Sequence, residues 1–390
     1  MVYRSLSPLI NRSFFLFGAR GTGKTTWLQN EYLTDQDLYI DLLDDDAEDR
    51  YAKQPGLLDL ELQQLLTEKR LPRSVIIDEV QKVPKLLDIA QKWIQKHKLR
   101  FIFTGSSSRK LKRGGGNLLG GRANTYSLFP YTSKELGKVF NLQHALEWGT
   151  LPECWSLKTA REKTSYLRSY AKTYLKEEIL VEQLVRKLPP FRNFLDLLAQ
   201  NDGKLINFEL FSKNIGVDNK TIQSYVDILE ETYIGILLRP HHPSLRKSQL
   251  QQPKFYFFDQ GIKRQLNGTL GTPLLPSTIA YGNEFESWMI HEMIRTVTYA
   301  EKDYRFSFYR SKHGAEVDLI LTKGRNHFFI EIKSTDHVDI TEVNELARLT
   351  KEFKGNKRIF YVSRDTKSIQ SNGVECHHYV KFLKILEEIN

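Results

Sequence analysis

The sequence predicts an α/β chain with a parallel sheet at its front, a mostly helical middle and a smaller α/β region at its end. Three observations predict this. Over the first ~130 residues, strand-sized apolar runs alternate with helical patterns. The first run, Phe14 to Phe17, leads through a glycine-rich turn into a helix. The third, Val75 to Ile77, ends in two acids.

Each element follows from its pattern. Phe14 to Phe17 is a short buried strand, and Thr25 to Glu31 begins a helix. Leu38 to Asp41 is a second strand. Leu57 to Glu68 carries apolar residues at 57, 58, 62, 65 and 66, a helical stripe. Val75 to Ile77 is the third strand, Leu86 to His97 a helix and Arg100 to Thr104 the fourth strand. A helical stretch follows, through Ala160 to Arg186 and Arg192 to Gln200. Asn207 to Asn214, the turn Ile215-Gly216-Val217 and Asn219 to Glu230 read as helix, tight turn, helix. Strands Tyr233 to Leu238 and Lys254 to Phe258 come next, which is the order of a winged helix-turn-helix. The last region holds a helix (Asn283 to Thr298), three strands (Arg305 to Tyr309, Glu316 to Leu321, His327 to Ile332), a helix (Thr341 to Lys351) and a strand (Arg358 to Ser363). The expected domains are 1–140, a helical lid or linker at 141–200, a winged helix at 201–272 and a closing α/β domain at 273–390.

Composition agrees with several folded domains. At ~150 residues per domain, a chain of 390 residues holds two or three. Lys and Arg outnumber Asp and Glu by 57 to 47, an excess that favours a polyanionic partner. The two cysteines, Cys154 and Cys376, lie far apart. They argue against a disulfide framework or a zinc site and fit a cytoplasmic protein. The N-terminus lacks a signal-peptide h-region, and the apolar runs are too short to span a bilayer.

Gly18-Ala19-Arg20-Gly21-Thr22-Gly23-Lys24-Thr25 matches G-x-x-x-x-G-K-[ST]. The spacing has physical reasons. Glycines let the backbone wrap phosphates with its N–H groups inward, and the helix N-terminus adds partial positive charge. Lys24 can reach the β- and γ-phosphates, and the Thr25 hydroxyl can ligate Mg2+. The expected nucleotide contacts run from Gly18 to Thr26, with ATP and Mg2+ as cofactors. Asp78 is expected in the Mg2+ shell, and Glu79 is expected to orient and deprotonate the attacking water. At the tip of the fourth strand, Ser106 is the first choice for positioning that water or sensing the γ-phosphate, and Thr104 the second. Arg122, after Gly120-Gly121, can reach a neighbouring subunit's γ-phosphate as an arginine finger.

Gly18 to Thr25, Asp78-Glu79-Val80-Gln81, Thr104-Gly105-Ser106-Ser107, Gly121-Arg122 and Trp148-Gly149-Thr150-Leu151-Pro152-Glu153 resemble a prokaryotic AAA+-type P-loop ATPase family. Its members join this ATPase to a C-terminal domain of unknown function. Lys254 to Asp259, Gly282 to Glu286, Glu316-Val317-Asp318 and Glu331-Ile332-Lys333 resemble that domain, so the match covers nearly the whole chain. The resemblance implies an AAA+-like core, a winged helix, a nuclease-like fold and a homo-oligomer such as a hexameric ring.

In the last region, Asp318 lies in one strand and Glu331 in the next, with Lys333 at its end. Residues two apart share a strand face, so Glu331 and Lys333 point together. A hairpin would bring Asp318 to the same face. Two carboxylates and a lysine so placed can bind Mg2+ and activate water for phosphodiester hydrolysis. With Glu286 on the preceding helix, the order helix acid, Asp, Glu-x-Lys resembles the PD-(D/E)xK nuclease superfamily. Glu286, Asp318 and Glu331 are the expected metal ligands, and Asp318, Glu331 and Lys333 the expected catalytic groups. The fold is expected either to cleave or to be kept for binding.

Three basic segments bear on a DNA partner. Arg109, Lys110, Lys112, Arg113 and Arg122 fall in an acid-free, glycine-rich stretch. Arg239, Arg246, Lys247 and Lys254 fall in a second acid-free stretch, where a wing would touch phosphate. Lys220, Thr221, Gln223 and Ser224 lie on the second helix of the turn motif and can face a groove. The leading expectation is an ATP-driven, DNA-processing enzyme acting on duplex, single-stranded or junction DNA. Its rivals are a non-cleaving remodeller, such as a junction branch-migration motor, and a nucleotide-controlled signalling or defence switch with a protein partner.

Overall fold

The computed structural model describes residues 2–107, 111, 119–174, 188–242, 244–249, 251–311 and 314–389. The chain forms two compact units. One comprises Met1–Tyr131 with Ile228–Ile234, the other Thr132–Asp227 with Gly235–Asn390. Among the described residues no helix is long and apolar enough to cross a membrane.

The first unit is built on a five-stranded sheet. Its strands are β1 (Ser13–Phe17), β2 (Leu38–Asp41), β3 (Ser74–Asp78), β4 (Arg100–Gly105) and β5 (Ala123–Ser127). Their spatial order is β2-β3-β4-β1-β5, and every neighbouring pair is parallel. The continuous apolar runs follow from burial on both faces. Phe15, Phe17, Val75, Ile77, Phe101 and Phe103 enter one core with Leu58, Leu62, Leu86 and Trp93 of the helices. The intervening Phe14, Leu16, Ile76 and Ile102 are fully buried too.

Two elements of this unit are absent from the sequence pattern. Helix Asp45–Lys53 buries only Tyr51, so it has no apolar stripe to read. Its ends are favourable, since Asp44 caps the Ala47 amide, acids fill the first turn and Arg50 and Lys53 close the last, and the Tyr51 hydroxyl anchors it to Glu61 at 2.7 Å. Strand β5 lies at the sheet edge and buries only Tyr126, so Ala-Asn-Thr-Tyr-Ser need not be apolar. Because β4 lies between β3 and β1 and all run parallel, the carboxyl ends of the three strands are neighbours. Ligands of open α/β sheets bind at that end.

The second unit begins with short helices, Ser133–Leu136, Leu142–Trp148, Pro152–Ser156 and Ala160–Ser169. The long helix expected from Ala160 changes to a π-helical turn at Tyr170–Tyr174, and residues 175–187 lie outside the described residues. Helices Leu188–Gln200, Phe208–Ile215 and Asn219–Glu231 follow. Gly216 ends the second of these at φ 76°, a left-handed position that suits glycine. An antiparallel pair, β6 (Gly235–Leu238) and β7 (Lys254–Phe257), comes next, then helix Gln260–Leu266.

Gly149 also requires a left-handed backbone, at φ 75°, and a Cβ there would overlap the Asp259 carboxylate. That carboxylate is fully buried, accepts from the Thr150 amide at 2.7 Å and caps the helix that follows it.

The rest of the unit is a six-stranded sheet and three helices. The strands are β8 (Arg305–Arg310), β9 (Glu316–Lys323), β10 (Asn326–Ile332), β11 (Asn356–Ser363), β12 (Ile369–Ser371) and β13 (Val374–His378), in the order β12-β13-β11-β10-β9-β8. Strands β9 and β10 form the hairpin, turning at Gly324 with φ 61°. Leu319, Leu321, Phe328, Ile330 and Ile332 pack in one core with helix Ile279–Tyr299. Ile320, Phe329 and Tyr361 pack in another with Val343 and Leu346 of helix Ile340–Thr350. Glu331, between Ile330 and Ile332, therefore shares the second face.

Candidate functional site: a P-loop and a carboxylate cavity

The turn after β1 is shaped to admit phosphate. Gly18 passes so close to Leu128 that a Cβ would overlap that residue's carbonyl. Gly21 and Gly23 take φ 75° and 88°, which place the loop over the start of helix Lys24–Glu31. No side chain caps that helix, and its first turn has no acid. Its leading amides are thus left for an anion, as at phosphate-binding helix ends. Lys24, only 5% exposed, folds back to donate to the carbonyls of Gly18 at 2.8 Å and Ala19 at 3.2 Å. Thr22 is buried and ties its hydroxyl to the Ala19 carbonyl at 2.8 Å. Arg20 and Thr26 are exposed.

The tips of β3 and β4 complete this site. Thr25 donates its hydroxyl to Asp78 Oδ2 at 2.7 Å, and the Tyr39 hydroxyl donates to the same oxygen at 2.9 Å. Burial and the Asp78 charge push the Tyr39 phenol well up. The Thr104 hydroxyl donates to the other oxygen, Oδ1, and accepts the Glu79 amide at 2.9 Å. Glu79 takes a left-handed backbone at φ 56° as the chain leaves β3. Its Oε2 accepts from the Gln81 amide group and from Ser106 at 3.3 Å, while Gln81 also donates to Ser106 at 3.1 Å. Gly105 leaves room for Gln81, since a Cβ there would lie 2.7 Å from Oε1.

Thr25, Asp78, Glu79, Thr104 and Ser106 are therefore one connected cluster beside Lys24. A threonine hydroxyl and a buried carboxylate beside the helix start suit the hard oxygen ligation of Mg2+. Arg122 is exposed, and its side chain's described hydrogen bonds go to the Gly120 carbonyl and, with the Gln95 amide oxygen turned toward it, to Gln95. Tyr39 and Gln81 are members that the sequence reading did not single out as site residues.

The second unit holds a cavity of about 440 Å3 lined by Glu286, Glu316, Asp318, Glu331, Lys254 and Lys333, among others. Helix Ile279–Tyr299 supplies Glu286, β9 supplies Glu316 and Asp318, and β10 supplies Glu331. Asp318 accepts the Ile332 amide at 2.8 Å, and Lys333 pairs with Glu331 at 2.7 Å. Burial and the Glu286 charge raise the Asp318 carboxyl, and burial and Asp318 raise Glu331. Burial also raises Glu286. Burial alone would lower Lys333, but Glu331 and Asp318 outweigh it and hold the ammonium charged. Glu331 Oε2 is buried with no hydrogen-bond partner among the described residues.

Hard carboxylate oxygens are the donor type that Mg2+ takes, and the three expected ligands line one cavity. Even so, among the described residues no three His, Cys, Asp or Glu side chains are grouped to hold a metal ion. Glu286 and Glu316 are instead engaged by Lys254 and Glu331 by Lys333, while Asp318 accepts the Ile332 amide. Lys254 departs from expectation. The acid-free stretch around it suggests phosphate contact, yet it is 5% exposed and pairs with Glu316 and with Glu286 at 3.6 Å.

Of the other basic candidates, Lys220, Gln223 and Arg246 are exposed. The Thr221 hydroxyl is spent on Asp218 at 2.9 Å, in a turn that starts its helix. Arg109, Lys110, Lys112 and Arg113 lie outside the described residues.

Comparison with known proteins divides the chain in three. Residues 11–137 match an AAA domain, residues 139–272 a domain of unknown function (DUF8612), and residues 281–382 a domain of unknown function (DUF4143). The chain is similar to uncharacterized proteins of Mycobacterium tuberculosis and Mycobacterium bovis, each 23% identical over 295 residues. These matches cover 73% of this chain and 65% of the relatives, so the chain spans just under two thirds of their length. An uncharacterized protein of Haemophilus influenzae is 22% identical over 349 residues, covering 83% of this chain and 81% of its own.

Among solved structures, the Aeropyrum pernix ORC1 protein in complex with DNA is 14% identical over 67% of this chain and 86% of its own, with a TM-score of 0.27. Protein VC1899 from Vibrio cholerae is 12% identical over 96% of both chains, with a TM-score of 0.22. Scores this low establish no shared fold. The AAA match, together with the P-loop it contains, supports a P-loop ATPase domain in the first third of the chain.

Proposed function

We propose that this chain binds ATP with Mg2+, hydrolyses it and acts on DNA. One observation carries the hydrolysis: the Thr25–Asp78 hydrogen bond at 2.7 Å joins the P-loop to a strand tip whose next residue is Glu79. In the proposed mechanism Lys24 leaves the Gly18 carbonyl for a phosphate oxygen, and the open amides of its helix meet the same anion. Thr25 and Asp78 would hold Mg2+, which supplies charge neutralisation at the β- and γ-phosphates. Glu79 Oε2 is occupied by Gln81 and Ser106, so Oε1 is the oxygen that orients water and takes its proton. Thr104 fixes Asp78 and the Glu79 amide together.

The DNA reading is supported by the net charge of +10 and by the exposed Lys220, Gln223 and Arg246 on and after a helix-turn-helix. That motif and the β6–β7 ribbon follow the order of a winged helix. The order Glu286, Asp318, Glu331-x-Lys333 supports a PD-(D/E)xK-like C-terminal domain. Within it, gripping is favoured over cleaving, because Lys254 already engages Glu286 and Glu316.

The test is ATP turnover in Mg2+ with and without single-stranded, duplex and junction DNA, at low and high salt. Hydrolysis that DNA stimulates, and that salt suppresses, is expected. Turnover indifferent to DNA would remove the DNA reading, and no turnover at all would remove the ATPase. Mg2+-dependent nicking lost in Asp318→Ala would replace gripping with cleavage.

A further inference from the structure

Lys254 opens β7, and its ammonium lies inside the carboxylate cavity rather than on the surface. Burying an ammonium costs several kcal/mol unless it is paired and coordinated. Here the coordination is generous. Glu316 contacts it directly, Glu286 stands at 3.6 Å, and the Phe308 ring lies 5.4 Å away. Burial alone would lower Lys254, but Glu286, Asp318 and Glu316 outweigh it and keep it charged. Tyr256, two residues on and so on the same strand face, donates its hydroxyl to Glu286 Oε1 at 3.0 Å. One strand therefore brings both a cation and a hydroxyl to the same carboxylate.

The groups around that cation come from other elements. Glu286 projects from helix Ile279–Tyr299, and Glu316 and Asp318 stand two apart on β9. Oxygen ligands from several elements around one buried positive charge are what Mg2+ or Mn2+ would use. We infer that Lys254 is a tethered cation standing in for a divalent ion among Glu286, Glu316 and Asp318, so that removing its ammonium opens a divalent-cation site. The inference does not require the cavity to cleave anything. The strand that carries Lys254 then decides whether the cavity can load a metal.

An ordinary buried ion pair predicts something different. Its loss would destabilise the protein whatever ion is present. The full chain and its Lys254→Met variant are compared without nucleotide, by Mn2+ titration with electron paramagnetic resonance and by thermal unfolding with and without Mn2+. The variant is expected to gain one Mn2+ per chain, at least about tenfold tighter than any site in the wild type. Its thermal midpoint should fall without Mn2+ and recover with it, as binding to the folded state requires. Both gains should vanish in Lys254→Met/Glu316→Gln. A variant that gains no Mn2+ site, or that Mn2+ does not stabilise beyond the wild type, overturns the inference. If Lys254→Met is insoluble, purification in Mn2+ decides: solubility only with Mn2+ supports it, and insolubility in both overturns it.

Discussion

Lys24 donates its ammonium to the carbonyl of Gly18 at 2.8 Å, closing the loop on itself. The lysine is thus held where a phosphate would take it over. Lys24→Ala should weaken ATP binding on the order of 100-fold, since charge-assisted contacts to phosphate are lost. Thermal unfolding without nucleotide should also shift down modestly, because the Gly18 and Ala19 carbonyls lose their buried donor. Titration with a fluorescent ATP analogue checks the first point and calorimetry the second.

Glu79 shares one oxygen between Gln81 and Ser106. Glu79→Gln should cut turnover by ~10²–10⁴ while ATP affinity holds, as for loss of a general base. Gln81→Ala should cut it by about tenfold, the worth of one hydrogen bond to a charged group. A Gln81→Ala variant that loses ATP affinity rather than turnover would make Gln81 a structural residue only.

Arg122 makes its described bonds away from the P-loop cluster. If it serves a neighbouring copy, Arg122→Ala and Glu79→Gln chains should each be inactive and yet recover activity when mixed. Mixtures that stay inactive, from chains shown to assemble, would remove the finger.

Gly149 combines φ 75° with a Cβ position already filled by Asp259. Gly149→Ala should destabilise the second unit by more than about 3 kcal/mol, from strain and overlap together. Urea unfolding of the two chains measures it. Asp259→Asn should be milder, because the overlap does not arise.

His291 is buried in helix Ile279–Tyr299, and burial with the nearby Arg295 charge lowers its pKa from 6.5 to about 3. The folded form stays neutral while the unfolded chain takes a proton below pH 6.5. Stability is therefore lost as pH falls between these values, at about 1.4 kcal/mol per pH unit from this group. His291→Phe should unfold with a slope shallower by that amount across the window. Equal slopes would mean that His291 already carries its proton when folded.

How much of this is legible in the sequence depends on what each residue must satisfy. The P-loop is readable because its glycines and lysine answer to backbone geometry at fixed spacing. The tip of β4 is only half readable. Period two puts Thr104 and Ser106 on one face, and nothing in the sequence says that Thr104 reaches Asp78 while Ser106 reaches Glu79. Tyr39 hides because an aromatic residue in a strand reads as core, and only its hydroxyl makes it part of the site. Lys254 misleads for the opposite reason. An acid-free stretch suggests phosphate contact, but its acids come from residues 32 and 62 positions later, Glu286 and Glu316. Strand β5 and helix Asp45–Lys53 leave no apolar period because each buries a single side chain.

The path of the chain has a practical consequence. Ile228–Ile234 counts with the first unit, and its Tyr233 ring stacks on Phe17 of β1 at 6.0 Å. The polypeptide therefore crosses between units three times, after residues 131, 227 and 234. A fragment ending at 131 would carry every P-loop residue and still lack seven residues of its own fold. Dissection at that point should yield a soluble ATPase only when a peptide bearing 228–234 is supplied in trans. The isolated fragment would otherwise expose the β1 surface that Tyr233 covers.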